Sequence, residues 1–384
     1  MTIWLSCSIL AASLTGSAAH AHVPGLPEVM RLNDGTPVNT PETWAVRREE
    51  MKEIVLTHEY GHLPPVPKIR VEGLVSEEVT VQGLAEPTTR LRAVLVFGPE
   101  DGLRMDVGCW LPSDRQGPVP VVLGIEPVWW PDPFLRRGII RRLLANGYGF
   151  AGFDHNALAS YEEPDKRAAR DAYPEYGWGV VAVAAWGCSV TLNWLETLPG
   201  VDAAKVAVWG HSRRGKSALL AGALDTRFAA VLPHMSGMAG SALYGVRGRG
   251  AQELEQLLER FWLTPKAFEY IDREEELPFD QHWLLALVAP RPAYLHVGRG
   301  DHWGNPFGEQ AAFDAAQPIY AWLGQPQRLG IYFVDADHVD PNGPEGGESW
   351  ETVIDFLNQQ LLGEAGTRDF GGSLQGGTPP GETD

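Results

Sequence analysis

A serine stands between an apolar strand and a helix in the segment KVAVWGHSRRGKSALL, positions 205–220. The run KVAVW reads as a buried strand ending at Gly210, and the helix starts within two residues of Ser212. A sharp strand-to-helix bend lifts a serine hydroxyl clear of the sheet. The helix that follows points its first N–H groups at the place where an oxyanion would form. The spacing is G-x-S-x-x-G, not the usual G-x-S-x-G, with Arg213 and Arg214 ahead of Gly215. A serine hydroxyl is a weak nucleophile at neutral pH, so it needs a base, and the base needs an orienting carboxylate. The chemistry expected is acyl transfer on Ser212. The plain alternative is a serine that only caps a helix.

Sheets that carry such a serine place the three groups in the chain order serine, acid, histidine. After Ser212 come His234, His282, His296, His302 and His338. His338 lies in VDADHVDPNG, a polar loop just past the apolar run GIYFV, where the base belongs. His282 opens an apolar helical run and His296 lies inside a strand, so both read as structural. Asp301, in GRGDHWGNP after the strand PAYLHV, is the expected acid; Asp335 and Asp337 stand too close to His338 along the chain.

The elements that must hold these groups follow from the apolar pattern. A helix is expected over 43–57, then strands within 69–81 and 90–111, where β-branched residues alternate between Gly and Pro breaks. From 119 onward short apolar strands (119–124, 148–153, 205–210, 229–233, 292–297, 330–334) alternate with helices near 136–146, 178–198, 214 onward, 308–323 and 349–361. Apolar strands separated by helices mean a mostly parallel sheet covered on both faces. The helix over 178–198 is apolar nearly all round and should be buried. The fold class expected is therefore α/β, an α/β-hydrolase: a mostly parallel, doubly wound sheet with an antiparallel N-terminal strand region.

The chain has 384 residues, 44% hydrophobic and 21% charged, with a net charge of −18. That acidity argues against nucleic acid or an anionic membrane surface as a partner. An apolar stretch at 3–14 followed by Ala19-His20-Ala21 fits an export signal cut after Ala21. The expected organisation is a signal peptide over 1–21, one catalytic domain over 22–363 and a disordered Gly-, Pro- and Glu-rich tail over 364–384. The product would be secreted or periplasmic, soluble and monomeric. Cys109 and Cys188 either pair or remain buried thiols.

One competing motif is His58-Glu59-Tyr60-Gly61-His62, which matches the zinc-protease pattern H-E-x-x-H. It needs both histidines on one face of a continuous helix. Gly61 weakens that helix and Pro64-Pro65 ends it, so a turn leaving a surface helix explains the segment.

The stretch GHSRRGKSALLAGALDTRFAAVLPHMSGMAGSAL resembles the glucuronoyl esterases of carbohydrate esterase family 15, especially bacterial members. So do LNDGTPVNTPETWAVRREEM, GWGVVAVAAWG, LPFDQHWLLALVAPRP and the loops of Asp301/Trp303 and His338. The resemblance spans about 26–362. It implies hydrolysis of the ester between a 4-O-methyl-glucuronic acid branch of glucuronoxylan and a lignin alcohol, with no metal and no cofactor. It also implies that Arg213 helps stabilise the oxyanion, that Lys216 reaches the sugar and that Trp303 lines the uronate pocket. A uronate-binding glutamate should lie within 250–262, where Glu253 and Glu259 both qualify and Glu259 is preferred. Many members carry a catalytic glutamate at the position of Met235; others place the acid where Asp301 stands. Deacetylation of sugars by the same three groups, or a non-catalytic carbohydrate-binding relative, are the remaining alternatives.

Overall fold

The computed structural model describes residues 25–126, 133–338 and 347–374. The expected export signal over 1–21 and positions 375–384 of the expected tail lie outside the described residues.

The strands are β1 (Arg70–Val79), β2 (Thr88–Phe97), β3 (Leu103–Pro112), β4 (Val119–Gly124), β5 (Gly149–Phe153), β6 (Val201–His211), β7 (Ala230–His234), β8 (Ala293–Gly298) and β9 (Leu329–Val334). They form one sheet in the order β1-β2-β3-β5-β4-β6-β7-β8-β9. The first three strands run antiparallel and β3 joins β5 antiparallel; from β5 to β9 every pairing is parallel. The split follows from the side chains. The strand β4 is buried from Pro120 to Gly124, as a sheet covered on both faces demands. By contrast β1, at the edge, leaves Val71, Leu74 and Val75 exposed. The expected strand region 90–111 is a hairpin of β2 and β3 that turns at Pro99–Asp101.

The helices are α1 (Pro41–Val55), α2 (Pro133–Ala145), α3 (Ala168–Ala172), α4 (Val180–Leu195), α5 (Arg213–Leu224), α6 (Leu254–Leu258), α7 (His282–Val288), α8 (Pro306–Trp322) and α9 (Gly347–Leu357). Alternate residues of the central strands feed two cores. Val121, Leu123, Val206 and Val208 pack with α1, α4, α5, α7 and α8. Val122, Ala207, Trp209 and Leu232 pack with α2 and α9 on the other face. Within α4 every residue except Asn193 is buried, as its all-round apolar surface requires.

The expectation of disorder from position 364 onward is corrected for 364–374. Phe370 is buried, its ring 5.4 Å from Tyr294 and 5.3 Å from Phe356. Its carbonyl accepts the Ile331 N–H at 2.7 Å, so the segment caps the open edge of β9. A polar, glycine-rich average concealed one aromatic anchor. Truncating Phe370 to Ala should cost about 3 kcal/mol of stability, as for other buried aromatics. Thermal denaturation should show the loss as a lower Tm, with KM unchanged.

Candidate active site

In this sheet β4 is flanked by β5 on one side and β6 on the other, so the chain winds away in both directions from the β4–β6 junction. Crevices at such a junction, outside the carboxyl ends of the strands, are where ligands bind in open α/β sheets. Ser212 follows β6 there. Its backbone sits at φ 56°, ψ −126°, the strained bend expected of a raised nucleophile. Close approach explains the glycine before it: a Cβ at Gly210 would lie 2.2 Å from the Arg214 carbonyl. The Ser212 N–H donates to the His234 carbonyl at 2.9 Å, tying the bend to β7.

The loops after β8 and β9 bring two more groups to the serine. Ser212 Oγ lies 2.8 Å from His338 Nε2. His338 Nδ1 lies 2.9 and 3.0 Å from the two oxygens of Asp301. Asp301 is 2% exposed and also accepts the Gly304 N–H at 2.6 Å, which fixes its carboxylate. The two loops are joined by Arg299 N–H donating to the Val334 carbonyl and Gly300 N–H to the Ala336 carbonyl. Asp335 and Asp337 are exposed.

A cavity of about 390 Å³ opens over Ser212 and His338. Arg213, Glu259 and Trp303 line it, together with Gln252, Gln256, Arg260 and Trp262. The last four escaped the reading of the sequence. Positions 252, 256 and 259/260 recur at helical spacing on one side of α6, while Leu254, Leu257 and Leu258 are buried on the other. That alternation was the available signal. Of the two candidate glutamates, Glu259 faces the cavity and Glu253 caps the start of α6.

Arg213 lies with its guanidinium 5.5 Å from the centre of the Tyr161 ring and pairs with Glu162. Arg214 turns away, bonding His155 at 3.2 Å and Glu126 at 3.1 Å. Lys216, expected to reach a sugar, instead lies 2% exposed beneath the cavity. Its ammonium donates to the Ser236 and Met238 carbonyls at 2.6 and 2.5 Å and to Gln252 Oε1 at 3.1 Å. Burial lowers its pKa to about 7. Three acceptors from distant segments converge on the ammonium. Nearby, Glu309 accepts from the Ser241 hydroxyl at 2.5 Å and the Gly237 N–H at 3.1 Å, and burial raises its pKa to about 8.

The H-E-x-x-H side chains diverge. His58 bonds the Tyr270 hydroxyl at 2.6 Å, and His62 lies 3.1 Å from Glu53. Glu59 is buried and accepts from the Tyr244 hydroxyl at 2.5 Å and from Gln281 Nε2 at 3.0 Å. No group of three or more His, Cys, Asp or Glu residues is arranged to hold a metal ion among the described residues. Cys109 and Cys188 are separate buried thiols.

A mostly parallel sheet with a serine on the bend after its central strand defines the α/β-hydrolase fold. The model of the family "Glucuronyl esterase, fungi" matches residues 99–324. A carbohydrate esterase of an unknown prokaryotic organism is 30% identical over 88% of this chain and 90% of its own. A 4-O-methyl-glucuronoyl methylesterase of Phanerochaete carnosa is 27% identical over 92% and 86%. Among solved structures, the carbohydrate esterase family 15 glucuronoyl esterase of Caldicellulosiruptor kristjansonii superimposes with a TM-score of 0.79 at 28% identity, covering 94% of this chain and 97% of that one. The chain belongs to the glucuronoyl esterases of carbohydrate esterase family 15, and it is a carboxylic ester hydrolase.

Burial raises the pKa of the Glu59 carboxyl from 4.5 to about 7. The folded chain then keeps a proton that the unfolded chain has released. The stability this contributes is fully present below pH 4.5 and is lost as pH rises to about 7. Relative to Glu59→Gln, the wild type should lose on the order of 3 kcal/mol of stability across that window in urea denaturation.

Proposed function

We propose that this chain hydrolyses the ester between 4-O-methyl-glucuronic acid of glucuronoxylan and an alcohol, including lignin alcohols, with Ser212, His338 and Asp301 as its catalytic residues. The observation that carries this reading is the hydrogen-bonded line from Ser212 through His338 to buried Asp301 at the floor of the cavity. The acid half of the substrate is inferred from the relatives named for glucuronoyl esters. The lining suits it: glutamines, a glutamate and arginines offer partners to ring hydroxyls, and Trp262 and Trp303 offer flat apolar faces.

His338 Nε2 takes the proton of Ser212, and the freed oxygen attacks the uronate carbonyl. Asp301 holds the imidazole by its Nδ1–H and stabilises the imidazolium that forms. The carbonyl oxygen becomes an oxyanion, stabilised by backbone N–H groups at the start of α5 and by the Arg213 guanidinium. His338 returns the proton to the departing alcohol. Water, activated by the same imidazole, then attacks the uronoyl-serine ester and releases the free acid. The balance needs water alone. Glu259 and Trp303 contact the sugar in this scheme. Lys216 supports the sugar site from below, through Gln252. We further infer export, with cleavage after Ala21, and a working monomer; no described helix is long and apolar enough to cross a membrane.

Ser212→Ala should abolish turnover with the fold intact. Asp301→Asn should lower kcat on the order of 10⁴-fold, since the imidazole loses its orienting acceptor. Asp337→Asn, at an exposed position, should change little. The reverse ranking of the two aspartates in steady-state kinetics would move the acid elsewhere.

Rates on a methyl glucuronate ester, a benzyl glucuronate ester and an acetylated xylan test the substrate. Both uronate esters should be preferred by kcat/KM. Faster hydrolysis of the acetylated xylan would sink the proposed acid specificity.

A further inference from the structure

Both ring nitrogens of His338 are engaged, one by Ser212 and one by Asp301. Its aim at the serine therefore depends on where its backbone is held. The His338 carbonyl lies 2.9 Å from Nε2 of His211, the last residue of β6 and the neighbour of Ser212 in the chain. We propose that His211 is a positioning residue for the ester hydrolysis, clamping the backbone of the general base to the residue beside the nucleophile. This rests on the reading of Ser212 and His338 given above.

The chemistry of the contact fixes the state of His211. A carbonyl oxygen only accepts, so Nε2 must carry the proton and donate it. Burial, with His338 and Arg214 close by, lowers the pKa of His211 to about 4. It is therefore a neutral donor at neutral pH. It is no second base, because its donating nitrogen is committed to the carbonyl and the serine hydroxyl is already paired with His338.

The sheet holds the donor in place. His211 pairs in register with His234 of β7, and His234 with His296 of β8. The rings of His234 and His296 stack at 4.2 Å, forming a row on the same face of the sheet. The His211 ring also lies 5.4 Å from that of His338. One hydrogen bond thus joins segments 127 residues apart and makes nucleophile and base move together.

The test compares His211→Phe, His211→Gln and Ser212→Ala in the full chain, with methyl glucuronate ester as substrate. Phe keeps a ring without the donor; Gln places an amide N–H close to where Nε2 stands. His211→Phe should lower kcat about 10- to 100-fold with KM within about twofold, the signature of a misaimed base. His211→Gln should stay within about threefold of wild type in kcat. Wild-type kcat in the Phe variant, a loss confined to KM, or a Gln variant as impaired as Phe would each overturn the inference. Should Phe prevent folding, the Gln variant alone decides. If Ser212→Ala is inactive while His211→Phe is fully active, only the role of His211 fails. An active Ser212→Ala removes the underlying reading and this inference with it.

Discussion

Ser212 occupies a backbone conformation that an L-residue resists, and the site depends on its being held there. Its φ of 56° costs on the order of 1–3 kcal/mol, which the surroundings must over-determine. Three elements do so. The strand β6 enters from the middle of the sheet, β7 accepts the Ser212 N–H, and α5 leaves at once because Gly210 lets its backbone pass close. The direction of the hydroxyl is thus set by main chain, with two cores on opposite faces of the sheet behind it. The other two groups arrive on neighbouring loops that bond to each other. The line from serine to carboxylate is assembled from the ends of β6, β8 and β9 and one hydrogen-bonded pair of loops.

Beneath the cavity lies a second, buried polar level. The chain after β7 turns repeatedly, with Met235 and Ala239 at positive φ, so its carbonyls have no strand partner. Lys216 satisfies two of them, and Glu309 receives an N–H and a hydroxyl from the same stretch. Burying an ammonium is costly unless several acceptors surround it. Here the third acceptor is Gln252, whose side chain also faces the cavity. A residue that touches the cavity is therefore fixed by the same ammonium that fixes the loop.

What the sequence disclosed and what it concealed divide along physical lines. The parallel strands and the elbow were legible because each is a local pattern, an apolar run or a bend marked by small residues. Ser212, Asp301 and His338 followed from chain order, and the structure brings those three together. Local pattern fails where partners come from far away. The sugar-reaching role of Lys216 came from the family resemblance, and no local pattern showed that its hydrogen-bond partners are 20, 22 and 36 residues distant. The register of the glutamates was left open because Glu253 and Glu259 flank the short helix α6 at its two ends and neither lies within it. Phe370 was lost in the average composition of a polar tail.

The position of Met235 bears on the proposal that Asp301 is the acid. Met235 is buried with Val334 and Ala336. Its methyl carbon and the Asp301 Cβ both lie 3.1 Å from the point where a side chain on Gly298 would begin. The two positions that the resemblance offers for the acid are thus neighbours in space although they follow different strands. Two carboxylates this close, both largely out of water, would resist ionising together, and one would hold a proton. An imidazole beside such a pair would face an acid whose charge depended on its neighbour. With a thioether at 235, Asp301 has no such competitor at that position. Under the proposed mechanism the apolar residue after β7 and the carboxylate after β8 act as one choice: methionine at one strand end leaves the charge to the other.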